Sequence, residues 1–308
     1  MAPDPFKAHP VDTTPDLGVV ILNWNTRDLL RDCLRSVFRS TGVAYRVVVV
    51  DNASPDGSAD MVAAEFPQAE LIRNPLNNGY AAGNNLGLRA LGFDRGRLDG
   101  PRYALLLNPD TVVPPDAFAR MVGHLDEHPE TGVAGPRLVL PDGRLDLACR
   151  RSFPTPEVAF YRLTGLSRLF PRSRLFGRYN LTYLDPGQET EVDSVVGAFM
   201  LVRREAIARA GLLDEHFFMY GEDLDWALEI RKAGWNARYF PDVSVLHVKR
   251  AASRRSSKAQ IAFHEAMLYF YRKHYQGVTN PLLGGLVVAG IWANLWWTRL
   301  REAVVPRR

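Results

Sequence analysis

LGVVILNWNTRDLLRDCLRSVFRSTGVAYRVVVVDNAS, residues 17–54, begins and ends with short β-branched runs, LGVVILN and YRVVVVDN. Between them Leu29, Leu30, Cys33, Leu34, Val37 and Phe38 recur at helical spacing, which predicts strand, helix, strand. Such a β-α-β unit places its two strands in parallel and covers them with the helix. Downstream the alternation continues. A helix is expected over Ser58–Glu65, a strand at AELIRN (69–74), a turn at PLNNGY (75–80), a helix across AAGNNLGLRAL (81–91) and a strand at YALLLN (103–108). The expected fold class is therefore α/β, with a mainly parallel sheet flanked by helices.

Ligands of such sheets bind beyond the carboxyl ends of the strands. Asn23 and Asn25 follow the first strand, Asp51 and Asn52 end the second, Asn74 follows the third, and Asn108 and Asp110 end the fourth. Any one of these is explained as a turn former. Four successive strands ending this way point to a polar site along one edge.

The chain of 308 residues is 46% hydrophobic, enough for one large domain with an appendage. Its two cysteines, Cys33 and Cys149, lack metal-ligand spacing, so neither a disulfide framework nor a zinc site is supported and a reducing compartment fits best. Residues 1–16 carry prolines and acids where a signal peptide needs a basic patch and an apolar run, and read as a flexible lead-in. Net charge is only +4, but basic residues cluster in CRRSF, FPRSRLFGR and HVKRAASRRSSK, which suits phosphates or a membrane surface. No feature calls for nucleic acid.

From about 150 to 191 periodicity is lost and arginines and aromatics accumulate, as in an insertion near a site. A strand is expected at SVVGAFMLVRR (194–204), a helix at REAIARAG, a helix in the second half of LLDEHFFMYGEDLDWALEIRKAGW, and a closing strand at ARYFPDVSVLHV (237–248).

In NPD (108–110), Asp110 offers a carboxylate to a divalent cation, whereas Asn108 offers only a neutral amide. His247, in VLHV, is either a third ligand or a structural histidine. GEDLDW puts Glu222, Asp223 and Asp225 at a helix start, where carboxylates complement the dipole or one of them serves as a general base. LNNGYAAGNN has glycines at 79 and 83 entering a helix, a weak anion-site signal. There is no Gly-Lys-Ser/Thr loop and no G-x-G-x-x-G after the first strand, which argues against a P-loop NTPase and a dinucleotide dehydrogenase.

Taken in order, VVILNWN, VVVVDNASPDGS, NNGYAAGNN, LLLNPDTVV, VVGAFMLVRR, FFMYGEDLDWALEIRKAGW and VLHV resemble the family 2 glycosyltransferases of GT-A fold, and within them the bacterial rhamnosyltransferases. The resemblance runs from about 17 to 273. It implies that Asp51, with Asn23, Asn25 and Asn52, holds the nucleotide's pyrimidine, and that Gly79 and Asn84 pack beside it. It also implies that Asn108-Pro109-Asp110 replaces an Asp-x-Asp motif, so that Asp110 binds Mg²⁺ or Mn²⁺ on the donor diphosphate. His247 would contact that metal or diphosphate, and Asp223 would be the catalytic base of an inverting transfer. Lys249, Arg250, Arg254 and Arg255 are candidates for neutralising the departing diphosphate, or are a solvated basic segment.

The expected domain spans 17–275 and is followed by an apolar membrane-associating segment, 276–308. Within it PLLGGLVVAGIWANLWW, from Pro281 to Trp297, spans roughly 25 Å as a helix, short of a bilayer core. Its tryptophans beside Arg299 and Arg301 suit a membrane interface, on the cytoplasmic face. The alternative is a helix docked on its own domain. The resemblance implies a dTDP- or UDP-sugar donor, most readily dTDP-L-rhamnose, and a polyprenyl-diphosphate-linked or saccharide acceptor in cell-surface polysaccharide synthesis. Two competing readings are a sugar nucleotidyltransferase, which would want a Gly-rich basic loop after the first strand, and a non-catalytic carbohydrate- or membrane-binding module.

Overall fold

Four strands set the architecture: β1 (Leu17–Asn23), β2 (Tyr45–Asn52), β3 (Glu70–Asn74) and β4 (Tyr103–Leu107). They belong to a computed structural model that describes residues 15–249 and 257–304. β1 pairs in parallel with both β2 and β4, and β2 pairs in parallel with β3. Every residue of β1 and β4 is buried, so both faces of the sheet are covered there, and this is why these runs read as continuously apolar.

The connecting helices are α1 (Arg27–Val37), α2 (Ser58–Glu65) and α3 (Gly79–Ala90). α1 turns Leu30, Cys33, Leu34 and Val37 into the core at the spacing that the sequence shows. α3 packs closely because its glycines leave room: a Cβ on Gly87 would stand 2.4 Å from Val20 Cγ1.

Beyond β4 the sheet becomes mixed. β5 (Thr111–Val112), α4 (Ala117–Glu127), β6 (Thr131–Val139), α5 (Pro156–Leu163), α6 (Leu166–Leu169), β7 (Thr190–Val192), β8 (Phe199–Arg203), α7 (Arg204–Ala210), α8 (Glu222–Lys232) and β9 (Asn236–His247) follow in order. The strand order is β3-β2-β1-β4-β8-β6-β9-β5, with β7 on β9. β8 is antiparallel to β4 and β6, and β5 is antiparallel to β9. The strand expected from 194 is shorter than its apolar run: it begins at Phe199, and residues 194–198 bend toward α8 instead. The expected insertion, 150–191, contains α5 and α6.

Two helices close the chain, α9 (Ser257–His274) and α10 (Pro281–Val304). α10 is longer than the apolar stretch from which it was anticipated. It packs on α9 and α5 through a second apolar cluster that includes Ala159, Leu268, Tyr271, Val287 and Ile291. Of the expected lead-in, residues 1–14 lie outside the described residues, as do Arg250, Arg254 and Arg255.

Candidate active site

Register alone assembles half of the site. Asn23 lies opposite Asp51 and Asn52 opposite Asn74, while Leu107 of β4 lies opposite Ile21, so Asn108 leaves the sheet at the same carboxyl edge. The chain then reverses into β5, whose Thr111 pairs with His247 at the end of β9. A backbone bond from Val248 N to Asp110 O (2.8 Å) fixes that junction.

As a result His247 Nε2 stands 3.4 Å from Asp110 Oδ1. Its other ring nitrogen, Nδ1, is 2.9 Å from Asp146 Oδ2, and Lys249 Nζ reaches the same carboxylate at 2.6 Å. Burial works against a charge on His247, but hydrogen bonds to Asp110 and Asp146 outweigh it and raise the imidazole pKa above its ordinary value. Burial likewise opposes ionisation of Asp146, yet the contacts from His247 and Lys249 hold its carboxyl far below the usual range. Lys249 is thereby engaged with Asp146 rather than standing clear to meet a phosphate.

A divalent cation fits between Asp110 and His247. Ligand atoms on adjacent octahedral positions lie about 3 Å apart for bonds near 2.1 Å. A carboxylate behind the second nitrogen of a ligating histidine is the usual orienting partner. Asn108 is less available as an oxygen ligand, because Tyr80 Oη donates its hydrogen between Asn108 Oδ1 (3.2 Å) and Gly197 O (2.9 Å).

Gly197 continues the network. Its N–H donates to Asp223 Oδ2 at 3.1 Å, beside Arg151 Nη2 at 2.7 Å, while Leu224 N reaches Asp223 Oδ1 at 2.8 Å. All three contacts use Asp223 as an acceptor. Glu222 next to it is buried, and its Oε2 has no hydrogen-bond partner. Burial, reinforced by the Asp223 charge, pushes the Glu222 carboxyl up to about 8, which favours its protonated form. Asp225 goes elsewhere: it is buried against Lys273 (2.9 Å) and His274 (2.6 Å) of α9. With Glu229 and His274 it forms a compact group of potential metal ligands, but its carboxylate already clamps α8 to α9.

One cavity of about 1090 Å³ is lined by Tyr80, Asn108, Asp110, Glu222, Asp223 and His247 together. Lys249 also lines it, whereas Asn23, Asn25, Asp51, Asn52, Gly79 and Asn84 lie outside this lining. Asn23 Nδ2 donates to Asp51 Oδ1 (2.8 Å) and to Ser54 Oγ (3.0 Å), and Asn25, at φ 59°, donates its N–H to the same hydroxyl. That cluster sits at the ends of β1 and β2, beside the exposed Trp24. Asn52 donates to Gly79 O and accepts from Asn74, and Asn84 Nδ2 caps Tyr80 O one turn back in its own helix. Gly79 has φ +91° and would place a Cβ 2.3 Å from Phe218 O, so this glycine answers to backbone packing.

The sequence reading missed Tyr80, Asp146 and Arg151. Tyr80 lies inside the quoted NNGYAAGNN and could have been found there. Asp146 and Arg151 meet partners 101 and 72 residues away, and no local pattern signals either.

A family model described as "Glycosyl transferase family 2" matches residues 18–210. The chain is 28% identical, over 84% of each chain, to "N-acetylglucosaminyl-diphospho-decaprenol L-rhamnosyltransferase" of Mycobacterium tuberculosis. It is 26% identical to "Low-salt glycan biosynthesis hexosyltransferase Agl10" of Haloferax volcanii, over 75% of this chain and 67% of that one. Among solved structures it resembles the mannosyltransferase PcManGT from Pyrobaculum calidifontis, in complex with GDP-Man and Mn²⁺. That likeness has a TM-score of 0.56 at 17% identity, covers 100% of this chain and 79% of the other, and bears on the fold.

Proposed function

Because the chain belongs to glycosyl transferase family 2 and is a glycosyltransferase, we propose that it transfers L-rhamnose from dTDP-L-rhamnose to a polyprenyl-diphosphate-linked saccharide, with inversion at the anomeric carbon. The observation that carries this reading is the convergence of Asp110, His247 and the adjacent pair Glu222 and Asp223 on one cavity from three separate parts of the chain. The rhamnosyl donor and lipid-linked acceptor are supported by the name of the Mycobacterium tuberculosis relative.

In this reading Asp51, with Asn23 and Asn25, meets the pyrimidine, and the donor diphosphate runs along the strand ends toward Asn108 and Asp110. Asn52, Gly79 and Asn84 shape the wall behind it. Asp110 and His247 would hold Mg²⁺ or Mn²⁺, which when bound supplies positive charge to the departing diphosphate. Asp223 accepts the proton of an acceptor hydroxyl as that oxygen attacks the anomeric carbon, and the carbon–phosphate-oxygen bond breaks on the opposite face. No covalent sugar–enzyme adduct forms. Glu222 stays protonated beside it. Two adjacent carboxyls held in different protonation states are a common acid–base arrangement. Arg151 and Gly197 N–H fix the rotamer of Asp223 and act as positioning groups.

The test is transfer from dTDP-L-rhamnose together with donor thermal shift in the presence and absence of Mn²⁺. Asp223→Asn is expected to lower kcat by about 10²–10⁴-fold, the range for removing a general base. Glu222→Gln should lose much less. Equal rates for wild type and Asp223→Asn would remove Asp223 as the base. Absence of a metal-dependent shift with both dTDP- and UDP-sugars would remove the donor site.

A further inference from the structure

The cavity that holds Asp223 does not end at polar groups. It continues past the insertion into the seam between α5, α9 and α10, where Ala159, Met267, Phe270, Val287 and Ile291 form its lining. Val287 and Ile291 are almost wholly buried and form the floor of this part, above which Phe263 and Met267 of α9 stay partly exposed. Its walls are closely fitted: a Cβ on Gly284 of α10 would meet Tyr271 Oη at 2.3 Å, and one on Gly290 would meet Leu163 Cδ1 at 3.2 Å.

At the junction of the polar and apolar parts stands Arg162, in the last turn of α5. Its guanidinium lies over the Tyr179 ring, 4.2 Å from the centroid, with Phe263 at 6.0 Å. It is exposed and belongs to the cavity lining. Stacking fixes the plane of an arginine while leaving its edge for an oxyanion. The cavity thus combines a proton acceptor, a cation and an apolar seam, the groups that a sugar–diphosphate–lipid molecule calls for.

We infer that the α5–α9–α10 seam is a lipid-diphosphate subsite, in which Arg162 binds the acceptor's diphosphate and the apolar lining takes its first isoprenoid units. This deepens the acceptor class proposed above and rests on that reading. The outer side of α10 exposes Leu282, Leu286, Trp292 and Trp296, which places the seam next to a surface suited to lipid.

The experiment measures binding of inorganic pyrophosphate, geranyl diphosphate and farnesyl diphosphate to the full chain, in EDTA so that a cation at Asp110 and His247 does not compete. Affinity is expected to rise about tenfold or more with each added isoprenoid unit, since each buries several methylene equivalents. Arg162→Gln should weaken all three ligands about tenfold or more but keep the dependence on chain length. Ile291→Trp should abolish that dependence.

Because Ile291 is buried, a second measurement uses only wild type: a diazirine-bearing farnesyl diphosphate should label peptides of α5, α9 or α10. Affinity independent of chain length, or labelling confined elsewhere, overturns the inference. Binding of dTDP-L-rhamnose with Mn²⁺ is read in parallel. If prenyl diphosphates bind and nucleotide sugars do not, the transfer reading fails and the subsite stands. If nucleotide sugars bind and prenyl chains add nothing, the subsite fails and the transfer reading stands.

Discussion

Glu222 and Asp223 are neighbours in sequence with opposite surroundings. Asp223 accepts from Arg151, Gly197 and Leu224, whereas Glu222 has a buried oxygen with no partner and a carboxyl raised from 4.5 to about 8. An acid whose folded pKa exceeds its unfolded value binds its proton more tightly when folded. Its contribution to stability is therefore complete below pH 4.5 and is lost as pH rises toward 8. Glu222→Gln is expected to gain stability relative to wild type across that window and to hold the gain above it. Denaturant melts at intervals from pH 5 to 9 check this, and a difference independent of pH would show that Glu222 is not held protonated. The motif GEDLDW made three carboxylates at a helix start readable. It did not reveal that Asp225 would turn away, because that depends on Lys273 and His274 arriving on α9, 48 and 49 residues later.

At the scale of elements, the parallel strands were readable because burial on both faces leaves an unbroken apolar run bounded by Asn or Asp. The same logic overreached at SVVGAFMLVRR, where Ser194 and the apolar residues 195–198 serve the site. Ser194 pairs with Arg151, and Gly197 lies between Tyr80 and Asp223. A Cβ on Gly197 would stand 2.6 Å from Tyr80 Oη, closer than atoms pack, and both of that hydroxyl's contacts would have to give. Gly197→Ala should therefore displace Tyr80, release Asn108 and lower kcat, by up to about 10²-fold if the reacting groups move by about 1 Å. Tyr80→Phe removes the clashing oxygen. The double variant is expected to be no slower than Tyr80→Phe alone, a non-additivity that marks a shared contact. Rate losses that simply multiply would show that the two residues act separately.

The whole molecule joins a catalytic domain to a helix with two different faces. Toward the domain, α10 buries Val287, Ile291 and Leu295 at helical spacing and fits Gly284 and Gly290 against α9 and α5. Away from it, Leu282, Leu286, Trp292, Trp296 and Trp297 remain exposed. The sequence left insertion and docking as alternatives, and the geometry has room for both, because one stripe of a helix suffices for docking. The span Pro281–Leu300 has a mean hydropathy of 1.2 with only 28% of its window buried, long and apolar enough to cross a membrane. Exposed tryptophans on a docked helix are the arrangement of an interfacial anchor, in which the ring bodies sink to headgroup depth while the opposite stripe holds the enzyme. Replacing Trp292 and Trp296 together with Ser should then weaken binding to phospholipid vesicles by about tenfold or more, since burying one large apolar side chain contributes about 1.5–3 kcal/mol. The melting temperature should stay close to that of wild type, because Trp292 and Trp296 are exposed on the outer face. Co-sedimentation with vesicles and a thermal melt on the same samples separate the two roles. Unchanged vesicle binding would remove the outer face as the anchor, and a large fall in melting temperature would show that those tryptophans support the fold instead.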